Sequence, residues 1–398
     1  MSILKSKSIH FHIVSLRNAI LPTLFLLFTI SLLLFSKTNL SATKEGLSLW
    51  ANSVLPSLFP FFIATELLGY TSIIPSIGKL FSWLMRPLFH VPGEGAFALV
   101  MGMISGTPVG AKIATDFYEK GITTKEESER LLSFTNNSGP LFIIGTVGIS
   151  LFGDTLLGYL LLFTHLLACL TVGFLFRFWK YKKPSQKNTF THSLVYTQEP
   201  ISLGQMLSSS ITNSTKTIVM IGGFVVLFSV IISVLQQSHL LSFLGNMLSP
   251  IFQVFGIETS FVTPVLTGIL ELTNGVKNVS MVVTKHLSTS VTLCAFLLGF
   301  GGISIGLQVL SIVSKTNLSI VPYFLGKLLQ GIFAAFYTYL MIAWFPIFNL
   351  DLQSVSSNLG NSLANTTTSF SYLAWGMVLF LVLWMIKSFL AKRKCMKI

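Results

Sequence analysis

Apolar residues in this chain fall into about ten runs separated by short polar segments. Several runs reach the ~20 residues that one helix needs to cross a bilayer. Eight of them predict spanning helices, at about 19–35, 52–70, 132–152, 155–176, 217–236, 290–312, 319–345 and 371–388. Two more stretches, about 94–115 and 258–285, are apolar but interrupted in the middle. One is broken by Ser105-Gly106-Thr107-Pro108-Val109-Gly110, the other by Glu271-Leu272-Thr273-Asn274-Gly275. Both read as re-entrant hairpins, because non-helical backbone at membrane depth is tolerated only inside protein or beside water. The predicted fold is therefore an all-α polytopic membrane protein of about eight transmembrane helices plus two re-entrant hairpins.

The basic residues orient it. With the N-terminus in the cytoplasm, the cytoplasmic segments hold 20 Lys and Arg, against two, Lys37 and Lys44, in the external loops. That asymmetry places both ends in the cytoplasm. The polar pieces are small: a basic linker at 177–216, a Ser/Asn/Thr-rich loop at 346–370, and 116–131, where Thr124 and Glu127 predict a capping box for a short surface helix.

The two halves also resemble each other. RPLFHVPG (86–93) matches SPIFQVFG (249–256), SGTPVGAK (105–112) matches LELTNGVK (270–277), and LLSFTNNSGPLFIIG (131–145) matches LCAFLLGFGGISIGL (293–307). The offset stays near 163 residues. On the predicted topology, helix 52–70 runs inward and helix 217–236 outward, so the repeats are inverted. The resulting division is a first segment at 1–45, a repeat at 46–176, the linker at 177–216, a second repeat at 217–345, and 346–398 with the last helix and basic tail. Inverted repeats carrying broken segments at matching places point to a transporter with a site between the halves.

Composition narrows the class further. Of 398 residues 52% are apolar and only 10% charged, against roughly 25% charged in soluble domains. The net charge of +13 could indicate nucleic acid, but the basic residues sit between apolar runs and form no soluble basic face. No nucleic-acid partner is expected. Three cysteines without a CxxC suggest neither a disulfide framework nor a zinc site. The first apolar run follows Lys5, Lys7 and Arg17 as in a signal peptide, yet no small-x-small cleavage site follows, which favours an uncleaved helix.

The candidate chemistry sits at the breaks. Lys112 and Lys277 end the two interrupted motifs at equivalent places. A lysine in the membrane costs at least about 2.5 kcal/mol on insertion scales, so a matched pair suggests an anionic substrate; the plainer reading is snorkelling to headgroups. Gly106, Thr107, Gly110, Asn274 and Gly275 lie in the interruptions, where freed backbone N–H groups favour anions. Asn136, Asn137 and Ser138, ahead of Gly139-Pro140, cannot all face lipid; they predict substrate contacts or interhelical hydrogen bonds. Glu271, and less strongly Glu66, are candidates for proton coupling or for pairing with a lysine. Gln308 and Lys327 read as packing or interfacial groups. Gly302-Ile303-Ser304-Ile305-Gly306 matches a nucleophile elbow with no strand before it. GTPVGAK lacks the Gly-Lys-Ser/Thr ending of a phosphate loop. His165 and His286 lack ligand-spaced partners. No enzyme activity, cofactor or metal is expected.

LWANSVLPSLFPFFIATELL (49–68), MRPLFHVPGEGAFALVMGMISGTPVGAK (85–112) and LLSFTNNSGPLFIIGTVG (131–148) resemble the YlbJ (SpoVV) family of sporulation integral membrane proteins, over nearly the whole chain. Thr107 departs from the aromatic expected in that family's SGYPxGAK pattern. The resemblance extends to Gate, or nucleoside-recognition, domains. It implies an endospore former, a place in the outer forespore membrane on the mother-cell side, other sporulation membrane proteins as partners, and dipicolinic acid as cargo moved toward the forespore. A planar dianion of that kind suits two lysines, helix N-termini and asparagine amides. The rival expectations are a nucleoside or other neutral-solute transporter, a channel, and a non-transporting scaffold for spore assembly.

Overall fold

The computed structural model describes residues 22–71, 73–180, 202–284 and 286–345. All of these fall in the first of two units, Met1–Asn349. The predicted helix at 371–388 and the basic tail lie outside the described residues, as does Lys285.

Every described element is helical. The first predicted span is a helix at Pro22–Leu34 (α1), but the chain then bends by 99° into a second helix, so the pair forms one bent apolar segment. That second helix is Ser36–Leu49 (α2), where a loop with Lys37 and Lys44 was expected. No proline interrupts it, and it packs on a later helix through Gly46, where an added methyl would lie 2.8 Å from Ser229 Oγ. A π-helical stretch at Trp50–Val54 leads into Leu55–Leu68 (α3). The Trp50 indole donates to the Ile218 carbonyl at 3.0 Å.

Next come Ile73–Phe89 (α4), Gly95–Ser105 (α5), Val109–Glu119 (α6) and Lys125–Phe134 (α7). The α7 capping box forms as predicted: Thr124 N donates to Glu127 Oε2 at 2.8 Å, and Glu127 N donates to Thr124 Oγ1 at 3.3 Å. The predicted span at 132–152 is not one helix. α7 stops at Phe134, the chain is non-helical over Asn136–Gly139, and a π-helix resumes at Leu141–Leu151. Pro140 lacks the N–H that a continuous helix would need.

Thr155–Phe176 (α8) begins on the Asp154 side chain, which accepts from Leu156 N at 2.7 Å. Leu203–Gln237 (α9) is 35 residues long, about 52 Å at 1.5 Å per residue. It begins on a Ser202–Gln205 capping box, so the end of the predicted 177–216 linker is helix. Then follow Leu240–Val254 (α10), Val262–Leu270 (α11), Leu272–Ser280 (α12), Leu287–Phe300 (α13), Gly302–Val313 (α14) and Val321–Trp344 (α15). The predicted span at 290–312 is broken at Gly301 and Gly302, whose φ angles of +83° and +82° only glycine adopts freely.

Among the described residues four helical segments are long and apolar enough to cross a membrane: α8, α9, the α13–α14 pair and α15. The bent α1–α2 pair is a fifth. The eight expected spans are therefore fewer among the described residues, because α3 and the Leu141–Leu151 π-helix are too short alone. The protein is an integral, multi-pass α-helical membrane protein. Its exposed surface fits: Phe243, Met247, Ile251 and Val254 on α10, and Leu325, Leu328, Ile332 and Phe336 on α15, are all exposed.

The two halves share an element order. Each has a helix bearing a late proline (Pro87 in α4, Pro250 in α10), then two short helices around an interruption, then a broken helix, then a long one. In both halves the short helices fold back on each other. Gly102 of α5 faces Gly110 of α6, 3.0 Å from its Cα to a methyl added at Gly102. A methyl on Gly275 of α12 would collide with Gly268 of α11. Residues seven or eight apart in one straight helix would be about 10–12 Å apart, so the chain reverses at each interruption.

Candidate functional site

Two polar constellations sit where these elements meet. The first is a cleft of about 580 Å³ between α3, α6 and α9. Its charged lining is Lys112, Lys120, Lys216 and Lys315 against Glu66 and Asp116. Phe62, Phe97 and Phe117 form an apolar wall, and Pro108 brings the cleft to the α5–α6 interruption. Lys112 of α6 pairs with Glu66 of α3. Glu66 also accepts from Asn213 Nδ2 of α9, at 3.5 Å. One carboxylate thus ties three elements together at the cleft, and Lys112 meets Glu66, not Glu271.

The remaining predicted residues are placed elsewhere. Lys277 is exposed near the end of α12 and does not line this cleft. Glu271 is buried and caps α12: its Oε1 accepts from Thr273 N at 2.9 Å and its Oε2 from Asn274 N at 2.8 Å. The backbone donors expected to attract an anion at that interruption are thereby filled by the chain's own carboxylate. Gly275 serves close packing on Gly268. Gly110 and Gly102 both make room for the Thr135 carbonyl, which sits between α5 and α6. Gly106, at φ +86°, meets Gly139: a methyl there would lie 3.1 Å from Gly139 N. Thr107 is half-buried beside it. In the second half, a methyl on Gly302 would lie 3.2 Å from both the Gly268 oxygen and the Leu272 nitrogen. Each hairpin interruption therefore abuts the break of the following helix.

The second constellation lies behind those breaks and is buried. Asn137 Nδ2 donates to the Phe134 carbonyl at 2.9 Å. Asn137 Oδ1 accepts from Gln330 Nε2 of α15 at 2.8 Å. Lys327, also on α15, donates to the Asn136 carbonyl at 3.0 Å and to Gln330 Oε1 at 2.9 Å. Asn136 Nδ2 contacts Tyr323 OH at 3.4 Å. Ser138 N donates to His165 Nε2 of α8, and Ser138 Oγ to the Leu298 carbonyl of α13, both at 3.3 Å. The interhelical hydrogen bonds expected as the plainer reading of Asn136, Asn137 and Ser138 are present. Lys327, Gln330, His165 and Tyr323 were not among the predicted site residues. A signal existed: Lys327 and Gln330 share one face of an apolar helix at i, i+3.

The Gate family model, described as nucleoside recognition, matches residues 51–172 and 218–319. Sporulation integral membrane protein YlbJ of Bacillus subtilis (strain 168) is 37% identical over 350 residues, covering 84% of each chain. This chain belongs to the Gate-domain family of YlbJ-type sporulation membrane proteins. Both Gate matches fall on the elements just described: the first spans the cleft-lining α3 and α6 and the Asn136–Ser138 break, the second α9 through α14. Lys327 and Gln330 lie beyond the matched residues. Among solved structures, CNTnw in an inward-facing substrate-bound state aligns with TM-score 0.47 and 12% identity, over 78% of this chain and 86% of that one. A CNTnw variant in an outward-facing state aligns with TM-score 0.45 and 14% identity, over 80% and 85%.

Proposed function

We propose that the protein is a secondary transporter of a small organic anion. The observation that carries this reading is the cleft, where four lysines outnumber two carboxylates beside an interrupted hairpin. A substrate carboxylate entering it competes with Glu66 for Lys112. Displacing Glu66 frees α3 and α9 from α6, which couples binding to movement of the hairpin. In this reading α5–α6 and α11–α12 are re-entrant, the two Gate-like repeats are inverted, and both termini are cytoplasmic. An ion gradient supplies the energy in this reading, and no catalytic step is part of the cycle. In this reading dipicolinate is the cargo and the outer forespore membrane the location; a planar dianion matches the positive excess of the cleft.

A second reading is favoured by one feature. The amides of Asn136, Asn137 and Gln330 are neutral donors and acceptors suited to a nucleoside, and the matching family model is described as nucleoside recognition. Flux of radiolabelled dipicolinate and uridine into proteoliposomes separates the two. The anion reading expects saturable dipicolinate flux that drops at least about tenfold, or 1.4 kcal/mol, in Lys112→Met. Uridine flux indifferent to Lys112→Met supports the nucleoside reading. Absence of saturable flux for either solute overturns both.

A further inference from the structure

Lys327 is 1% exposed on a helix that is long and apolar enough to span a membrane. Its two hydrogen-bond partners, the Asn136 carbonyl and Gln330 Oε1, are both neutral. The ion pairs among the described residues are Lys112–Glu66 and Lys180–Glu129, so no described carboxylate compensates Lys327. The network around these partners is also uncharged or basic. α8 contributes His165 and Cys169, α15 itself Tyr323, the α7 break Asn136, Asn137 and Ser138, and α13 the Leu298 carbonyl bonded to Ser138. His165 Nε2 accepts from Ser138 N, so the ring proton sits on Nδ1, and Nδ1 is buried with no partner. Asn136 Oδ1 is buried and unpartnered as well. An uncompensated ammonium in such surroundings is stabilised poorly, and lysine responds to burial by exchanging its proton.

Position adds a separate argument. The Lys327 side chain touches both broken helices. Its ammonium holds the Asn136 carbonyl at the α7 break, and its Cε lies 3.5 Å from where a methyl on Gly301 would sit, at the α13 break. Any motion of the hairpins against these breaks moves the groups that hold the ammonium.

We propose that Lys327 is the proton-coupling site of the transport cycle, protonated while the Asn136 carbonyl faces it and deprotonated when the α7 break shifts away. The Nζ ammonium releases one proton to water and becomes a neutral amine with a free lone pair; the reverse step takes the proton up on the opposite side. This rests on the transporter reading above. It assigns to Lys327 the role for which Glu271 was the stronger sequence candidate, because Glu271 is engaged as the α12 cap.

The test measures uptake of radiolabelled dipicolinate and uridine into proteoliposomes with and without an imposed gradient of one pH unit, of either polarity. The readout is the ratio of the two fluxes, not the flux itself. One proton per cycle supports up to about tenfold accumulation at that gradient. The wild type is expected to show a ratio well above one, and Lys327→Met and Lys327→Arg a ratio of about one. The arginine variant keeps the charge but does not titrate; if the methionine variant fails to fold, it decides alone. A structural role for Lys327 would lower both fluxes and leave the ratio at the wild-type value, which overturns the proposal. Wild-type flux that ignores the pH gradient overturns the proton assignment and leaves the transporter intact. No wild-type flux of either solute overturns both.

Discussion

Glu129 offers a direct test of how the helix ends are held. Its side chain is fully buried in the middle of α7. Oε2 accepts from the Trp179 indole at 2.9 Å and from Lys180 Nζ at 3.0 Å. Oε1 accepts from Ser319 N at 3.1 Å. One carboxylate therefore joins α7 to the segment after α8 and to the entry of α15. Burial alone would raise its pKa, but the donors from Trp179, Lys180 and Ser319, with the Lys180 charge, outweigh burial and hold it below the ordinary 4.5. Glu129→Ala orphans two donors from Trp179 and Ser319 at about 1–3 kcal/mol each. Lys180 is about half exposed, 48%, so its loss is screened, adding at most about 1 kcal/mol. The expected loss is roughly 2–7 kcal/mol in all. Glu129→Gln keeps one acceptor oxygen and sets its amide N–H₂ against a donor, for about 1–3 kcal/mol.

The assay is thermal unfolding in detergent across pH. Because the folded pKa is depressed, the Glu129 contribution is complete above the unfolded pKa near 4.5 and is lost as pH falls through the folded value. The gap between wild type and Glu129→Gln should be full at pH 7 and shrink below about 4.5 as the wild-type carboxyl protonates. Equal stability of wild type and Glu129→Ala at pH 7, or a gap that widens in acid, would refute the reasoning. Lys180→Met is the control and should shift stability by no more than about 1 kcal/mol.

Other outcomes follow from the same geometry. Gly102→Ala drives a methyl into the Thr135 carbonyl and toward Gly110; the yield of monodisperse protein should fall sharply, whereas Gly204→Ala, with nothing nearby, should leave it unchanged. Glu271→Ala uncaps α12 and should destabilise by about 0.5–2 kcal/mol, read as a lower unfolding midpoint, while the pH-gradient flux ratio stays at the wild-type value; a ratio of one would restore Glu271 as the coupling residue.

Much of this protein is legible along the chain. Lipid forces every backbone group to bond within its own segment, so long apolar runs become helices, and α8 and α15 appear where the runs do. The interruption at Gly106-Thr107-Pro108 is legible for the same local reason, since a glycine at positive φ and a proline cannot continue a helix; the breaks at Gly139-Pro140 and Gly301-Gly302 lay inside runs read as continuous spans. The Thr124–Glu127 capping box needs only neighbours three residues apart. What the tertiary structure alone decided is which local features meet. Lys112 finds Glu66, 46 residues away, and not its repeat counterpart Lys277. Lys327 finds Asn136, 191 residues away. Such pairings depend on how helices cross, and crossing is fixed by close packing at Gly102, Gly110, Gly268 and Gly302. Composition and periodicity describe one turn of one helix, so they located the two hairpin interruptions but neither the breaks in the helices that follow them nor the contact of each interruption with the next break, with Lys327 touching both broken helices.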